Sequence, residues 1–149
     1  PTHHFNPLPI QRSMPPPLRV LETCIYAEDL DAAYAFYHDV LKLRLHSRSE
    51  GRHLFFHCER GMVLIFNPNE TENSHPEEIP SHGSRGIEHI CWAVEREDLD
   101  DWRQQLEHVG VEIEHEETWA NGARSIYFRD PAGNSLEFAT PRLWENDPD

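Results

Sequence analysis

The chain repeats itself, and this constrains the fold more than any other feature of its 149 residues. The segment ETCIYAEDLDAAYAFYHDV, from Glu22, is echoed by HICWAVEREDLDDWRQQLEHV, which begins 67 residues later at His89. RHLFFHCERGMVLIF, from Arg52, runs without a gap beside RSIYFRDPAGNSLEF, from Arg124, at an offset of 72 residues. Each half reads as a strand, a helix and three strands, which places the chain in the α+β class.

Apolar spacing supports this division. Ala33, Phe36, Tyr37 and Leu41 make a helical stripe in the first half, and Leu99, Trp102, Leu106 and Val109 make one in the second. Asp29 or Asp31, and Asp98 or Asp100, are expected to cap these helices, with Gly110 ending the second. Strand alternation splits the remaining residues between two faces. Leu21, Ile25, Leu54, Phe56, Leu64, Phe66, Ile90, Trp92, Val94, Ile126, Phe128, Leu136 and Phe138 form an apolar face expected to lie under the helices. The opposite face carries Glu22, Cys24, His53, Phe55, His57, Ile65, His89, Cys91, Ser125, Tyr127 and Glu137. That mixture suits a solvated surface or a cavity. On it, a carboxylate such as Glu22, leading an apolar strand, calls for a partner or a cation.

Composition bounds the function. With 38% hydrophobic and 27% charged residues, the chain reads as a soluble, cytoplasmic domain, and no apolar run approaches the ~20 residues needed to cross a bilayer. The formal net charge of −14 argues against nucleic acid or an anionic membrane as partner, because the basic stripe that neutralises phosphate is missing. Cys24, Cys58 and Cys91 form no CxxC pair and read as buried free thiols of a reducing compartment. Residues 1–18 read as a flexible proline-rich arm. Residues 19–142 form one domain, with modules at 19–68 and 86–142 and a connector at 69–85, and 143–149 form a tail. In the connector, His75 and His82 read as solvated.

The segments YAEDLDAAYAFYHDVLKL, GIEHICWAV and above all YFRDPAGNSLEF, in this order within a repeated βαβββ frame, carry a resemblance over roughly residues 19–142. The sequence resembles the vicinal oxygen chelate superfamily, which includes glyoxalase I, extradiol dioxygenases, fosfomycin-resistance proteins and bleomycin-resistance proteins. The resemblance implies two tandem βαβββ modules forming an open, cup-shaped mixed sheet around a metal, with helices on the outer face. The four implied ligand positions, on the first and last strands of the modules, fall on Glu22, Ile65, His89 and Glu137. The repeat offsets pair the same residues, Glu22 with His89 and Ile65 with Glu137.

Three of the four, Glu22, His89 and Glu137, can bind one divalent ion, with Mn²⁺, Zn²⁺, Ni²⁺, Mg²⁺ and Fe²⁺ as candidates. Ile65 cannot, and becomes a substrate contact. Glyoxalase I carries a carboxylate at this fourth position, so true glyoxalase I activity is not implied. The implied function is a metal-dependent enzyme acting on a small oxygenated molecule, as a lyase, isomerase or dioxygenase-like catalyst. The alternative is a bleomycin-resistance-type protein that sequesters a small molecule without catalysis. Relatives often pair through exchanged modules, which implies a homodimer. Around the metal, His53 and His57 are candidate general bases and Tyr127 a hydrogen-bond donor to bound oxygen. Arg124 is a candidate for a substrate carboxylate or phosphonate, and Trp119 and Phe55 are candidates for apolar walls. DPAGN, residues 130–134, reads as a tight turn.

Overall fold

The computed structural model describes residues 14–145, so most of the arm, residues 1–13, and residues 146–149 of the tail lie outside the described residues. The first module runs β1 (Glu22–Tyr26), α1 (Leu30–Tyr34) continuing directly into a wide π turn (Ala35–Val40), β2 (Arg44–Ser49), β3 (His53–Cys58) and β4 (Gly61–Phe66). A short helix α2 (Pro68–Thr71) opens the connector. The second module runs β5 (His89–Ala93), α3 (Arg96–His108), β6 (His115–Thr118), β7 (Arg124–Arg129) and β8 (Ser135–Ala139). The strands form two four-stranded mixed sheets, ordered β1-β4-β3-β2 and β5-β8-β7-β6, each with its first strand parallel to its last. No helix among the described residues is long and apolar enough to cross a membrane.

Local chemistry explains the helix ends. Asp29 caps α1, its Oδ1 accepting from the Ala32 N–H at 3.0 Å. The second helix starts earlier than expected, at Arg96. Asp98 therefore lies in its first turn, where its charge complements the helix dipole, and does not cap it. Gly110, at φ +86°, takes the left-handed conformation that stops the chain after α3. Val109 lies past the last helical residue and is exposed.

The core lies between the modules. Tyr37, from α1 and its π turn, is fully buried against Phe56 of the first sheet and Trp92 of the second, with ring centroids 6.2 and 6.3 Å away. Phe36 meets Phe128 at 6.4 Å. Leu99 and Leu106 of α3 are fully buried, while Leu21, assigned to the apolar face, is exposed ahead of β1. The thiols are free but not buried, with Cys24 and Cys91 exposed and Cys58 intermediate.

The expected alternation fails on β4. Ile65, placed by the sequence on the cavity face, is fully buried in the core, where it pairs with Ile25 and Leu54. Leu64 and Phe66, assigned to the face under the helices, are buried but on the other side of the sheet, where Leu64 pairs with Cys24 and Phe55, and Phe66 with Tyr26 and His53. The cause is one residue in a turn. Two residues, Glu59 and Arg60, separate Cys58 from Gly61, whereas three separate their counterparts Asp130 and Asn134. A one-residue slip turns every following side chain over. Leu64, not Ile65, is therefore the structural counterpart of Glu137.

A buried polar knot ties the modules together. The Tyr37 hydroxyl donates to Asp130 Oδ2 at 2.6 Å, and Asn134 donates to Asp130 through its backbone N–H (2.9 Å) and Nδ2 (3.0 Å). Asn134 Nδ2 also reaches the Tyr26 carbonyl at 3.3 Å, and its Oδ1 accepts from the Glu88 N–H at 3.0 Å. Burial and the adjacent carboxylate push the Tyr37 phenol far above its ordinary pKa. DPAGN is thus a turn, as expected, and also an inter-module clamp. Tyr37→Phe removes one donor from a buried carboxylate and is expected to lower unfolding free energy by about 1–3 kcal/mol. Urea titration reads this as a lower midpoint at constant slope; an unchanged midpoint would mean that Asn134 alone satisfies Asp130.

Candidate functional site

The second sheet presents a row of polar side chains on its outer face. Cys91 lies opposite Glu137, Glu137 opposite Tyr127, and Tyr127 opposite His115 across β5, β8, β7 and β6. His89 stands two residues before Cys91 on β5, opposite Ser135. Glu137 is 5% exposed, buried by the strands on either side of β8.

His89 and Glu137 form a pair with a gap in its bonding. His89 Nδ1 lies 2.9 Å from the Ser135 carbonyl oxygen, which can only accept, so the ring proton belongs on Nδ1. A neutral His89 then turns the lone pair of Nε2 toward Glu137 Oε1, 3.3 Å away. Glu137 Oε2 is buried without a hydrogen bond of normal geometry, with the Cys91 thiol and the Tyr127 hydroxyl within reach of the carboxylate. Either a second ring proton on Nε2 or a metal ion would satisfy the two facing atoms. A carbonyl that orients a histidine through its other nitrogen is the usual support for a metal ligand. The donor set therefore fits a divalent ion of the borderline class.

The groups around the pair respond to its charge. Partial desolvation and the Glu137 carboxylate push the Cys91 thiol up to about 12. Tyr127 is raised by the same two causes, and its ring lies 6.5 Å from that of His89 and 5.8 Å from that of His115. His115 Nε2 is 2.7 Å from Glu117 Oε2. Cys91 and His115 were not singled out from the sequence as site residues. Cys91 was legible by alternation, but His115 lies on β6, where no repeat match was made.

The other candidates lie on the first sheet or in its loops. Glu22 is exposed at the start of β1, so no buried strand face penalises it. It shares with Cys91 a groove of about 290 Å³ along β1 and β5. Among the described residues, no three His, Cys, Asp or Glu side chains come together to hold a metal, so one copy does not bring Glu22 to His89 and Glu137. His53 stacks on Phe55 at 3.8 Å, and its Nδ1 faces the Arg52 guanidinium. Burial and Arg52 lower its pKa. His57 Nε2 is 2.9 Å from His46 Nδ1. Desolvation, Arg44 and His46 lower its pKa. Phe55 packs on Phe66 at 5.4 Å. His82 is not solvated as expected: its Nδ1 lies 2.6 Å from the Tyr26 hydroxyl, and its ring meets Phe66 edge-on at 4.8 Å.

Trp119 and Arg124 bond within their own module. Trp119 Nε1 donates to Ser125 Oγ at 2.9 Å. Arg124 Nη2 donates to Asp100 Oδ1 at 3.0 Å, which holds Asp100 below the usual carboxylate range, with help from Arg103. A depressed carboxylate stabilises the fold above its unfolded pKa, and that contribution disappears as pH falls through the folded value. Arg124→Gln is therefore expected to lower Tm slightly at pH 7 and to match the parent near pH 2. An equal loss at both pH values would mean that Arg124 acts through packing.

Comparison with known proteins identifies the family. Residues 19–138 match the Glyoxalase family, described as the Glyoxalase/Bleomycin resistance protein/Dioxygenase superfamily. The chain is 30% identical to the metallothiol transferase FosB of Bacillus licheniformis over 118 residues, covering 78% of this chain and 71% of that protein. It is 32% identical to the glutathione transferase FosA of Serratia marcescens over 110 residues, covering 73% and 71%. The crystal structure of a lactoylglutathione lyase from Agrobacterium tumefaciens superposes with a TM-score of 0.84 at 41% identity, covering 89% of this chain and all of that one. This chain belongs to the glyoxalase/bleomycin resistance protein/dioxygenase superfamily.

Proposed function

We propose that the protein is a divalent-metal-dependent enzyme acting on a small oxygenated molecule, with His89 and Glu137 of one copy and Glu22 of a second copy holding the ion. The observation that carries this reading is the buried Glu137 carboxylate beside the lone pair of His89. An exposed Glu22 on β1, an edge strand of its sheet, supports donation across an interface between copies. The likeness to a lactoylglutathione lyase favours lyase or isomerase chemistry over ring cleavage.

When bound, the ion supplies Lewis acidity to an oxygen of the substrate. The chain's own residues do the rest. Ser135 fixes the His89 ring through its carbonyl, and the buried backbone of β8 holds Glu137 in place. Tyr127, beside Glu137, presents a hydroxyl to an oxygen seated on this face, and its raised pKa keeps that hydroxyl protonated as a donor at neutral pH. Leu64, at the place that mirrors Glu137, offers no ligand, so the first module contributes Glu22 alone.

Metal analysis of protein purified without chelator is expected to show near-stoichiometric Mn²⁺, Zn²⁺ or Ni²⁺ in the parent, and loss of most of it in His89→Ala and Glu137→Gln. A parent that cannot be loaded would refute the enzyme reading and return the chain to a sequestering role. Glu22→Ala and Glu137→Ala chains, each metal-poor alone, are expected to regain metal at about a quarter of their sites when mixed and re-paired at random, because one of the two sites in each mixed dimer is then intact. Failure to recover on mixing would place the third ligand within one copy.

A further inference from the structure

The outer face of the first sheet holds a second cluster, made of bases only. Arg44 and His57 are register partners on β2 and β3, and His46, at the bulge between Leu45 and Ser47, turns its ring to 4.8 Å from that of His57. Arg44 has no carboxylate partner, unlike Arg48 on the same strand, which pairs with Asp31, so its guanidinium is left facing the two imidazoles.

We propose that Arg44, His46 and His57 form a subsite for the acidic group of a small molecule, a phosphate-type or carboxylate oxyanion. Arg44 supplies a fixed charge and a donor fork suited to such a group. The two imidazoles, 2.9 Å apart through Nδ1 and Nε2, satisfy each other only with one ring nitrogen donating and the other accepting. An anion offers each of them an acceptor, so both can donate once a second proton is taken up. A divalent cation would suit the imidazole spacing alone, but Arg44 opposite His57 opposes it. Continuing the row across the sheet, His57 lies opposite Met62 and Met62 opposite Glu22, which puts the subsite about 10 Å from Glu22 at two strand spacings. The charged or titratable groups facing His57 are Arg44 and His46 on β2, and Glu22 beyond β4 is the first carboxylate along the row. As an anchor for the acidic end of a substrate, this role depends on the metal-enzyme reading; as an anion site, it does not. It also replaces Arg124, which is engaged with Asp100, as the group that receives a substrate anion.

The test is calorimetric titration with inorganic phosphate, and separately with acetate, using the full chain before and after chelation. Phosphate is expected to bind with proton uptake, more tightly at pH 6 than at pH 8, with the His46 and His57 ring signals moving in NMR spectra. Arg44→Gln and His57→Gln are each expected to weaken binding about tenfold, the effect of losing one charge-assisted bond. Arg48→Gln, on the same strand but paired with Asp31, is expected to leave it unchanged. Acetate binding that is tighter than phosphate and equally sensitive to Arg44 would assign the subsite to carboxylates. Absence of saturable binding, binding indifferent to Arg44→Gln, or Ni²⁺ uptake at His46 and His57 in its place would overturn the proposal. If Glu137→Gln or chelation abolishes anion binding while Arg44→Gln does not, the anion sits on the metal: this proposal then fails and the metal reading stands. If the parent binds phosphate through Arg44 but no metal, the reverse holds.

Discussion

Asp130 is a carboxylate buried to 5% exposure between two modules, and the relation of those modules depends on how it is satisfied. A charge in that position is costly unless donors surround it. The donors come from Tyr37, in the first module, and Asn134, across the hairpin turn of the second. Apolar contacts around Phe36, Phe128 and Trp92 supply the burial, but they are non-directional and would tolerate sliding. The hydroxyl–carboxylate bond does not, so it fixes how the Tyr37 segment of the first module sits against the hairpin of the second.

Because the apolar faces meet, the two polar faces point away from the core, and the chemistry is divided between them. The second sheet keeps His89, Glu137 and Tyr127 together, and the first keeps Glu22, His53 and His57. Within one copy this arrangement brings His89 and Glu137 together, and among the described residues no three His, Cys, Asp or Glu side chains gather to hold a metal. The division also separates two kinds of charge. The row on the second sheet contains a buried carboxylate, whereas the row on the first begins with an unpaired guanidinium.

Much of this was legible in the sequence. The repeat and its apolar stripes specified two βαβββ modules, because Phe36, Tyr37, Leu99 and Leu106 can be buried only on one helical face. The pairing of Glu22 with His89 followed from the same repeat. What the sequence concealed was a matter of single residues and of distance. One residue fewer in the turn at Glu59 and Arg60 reversed β4 and exchanged Ile65 for Leu64, and no apolar pattern could reveal this, because Leu64, Ile65 and Phe66 are all hydrophobic. The buried role of Asp130 and Asn134 was hidden because turn-forming and clamp-forming residues are the same types. His82 looked solvated because its partner, Tyr26, lies 56 positions away.

The eight residues from Asp130 to Glu137 hold the modules together at one end and present a candidate ligand at the other. Asn134 accepts from the backbone of Glu88, the Ser135 N–H donates to the Glu88 carbonyl at 2.9 Å, and the Ser135 carbonyl orients His89. Folding and chemistry here share one short piece of chain and cannot drift independently. Substitutions in this hairpin that loosen the clamp would surface first as lost function, while the protein still looked folded. Residues of β2, β3 and the connector make none of the knot's hydrogen bonds, so changes there leave the clamp untouched.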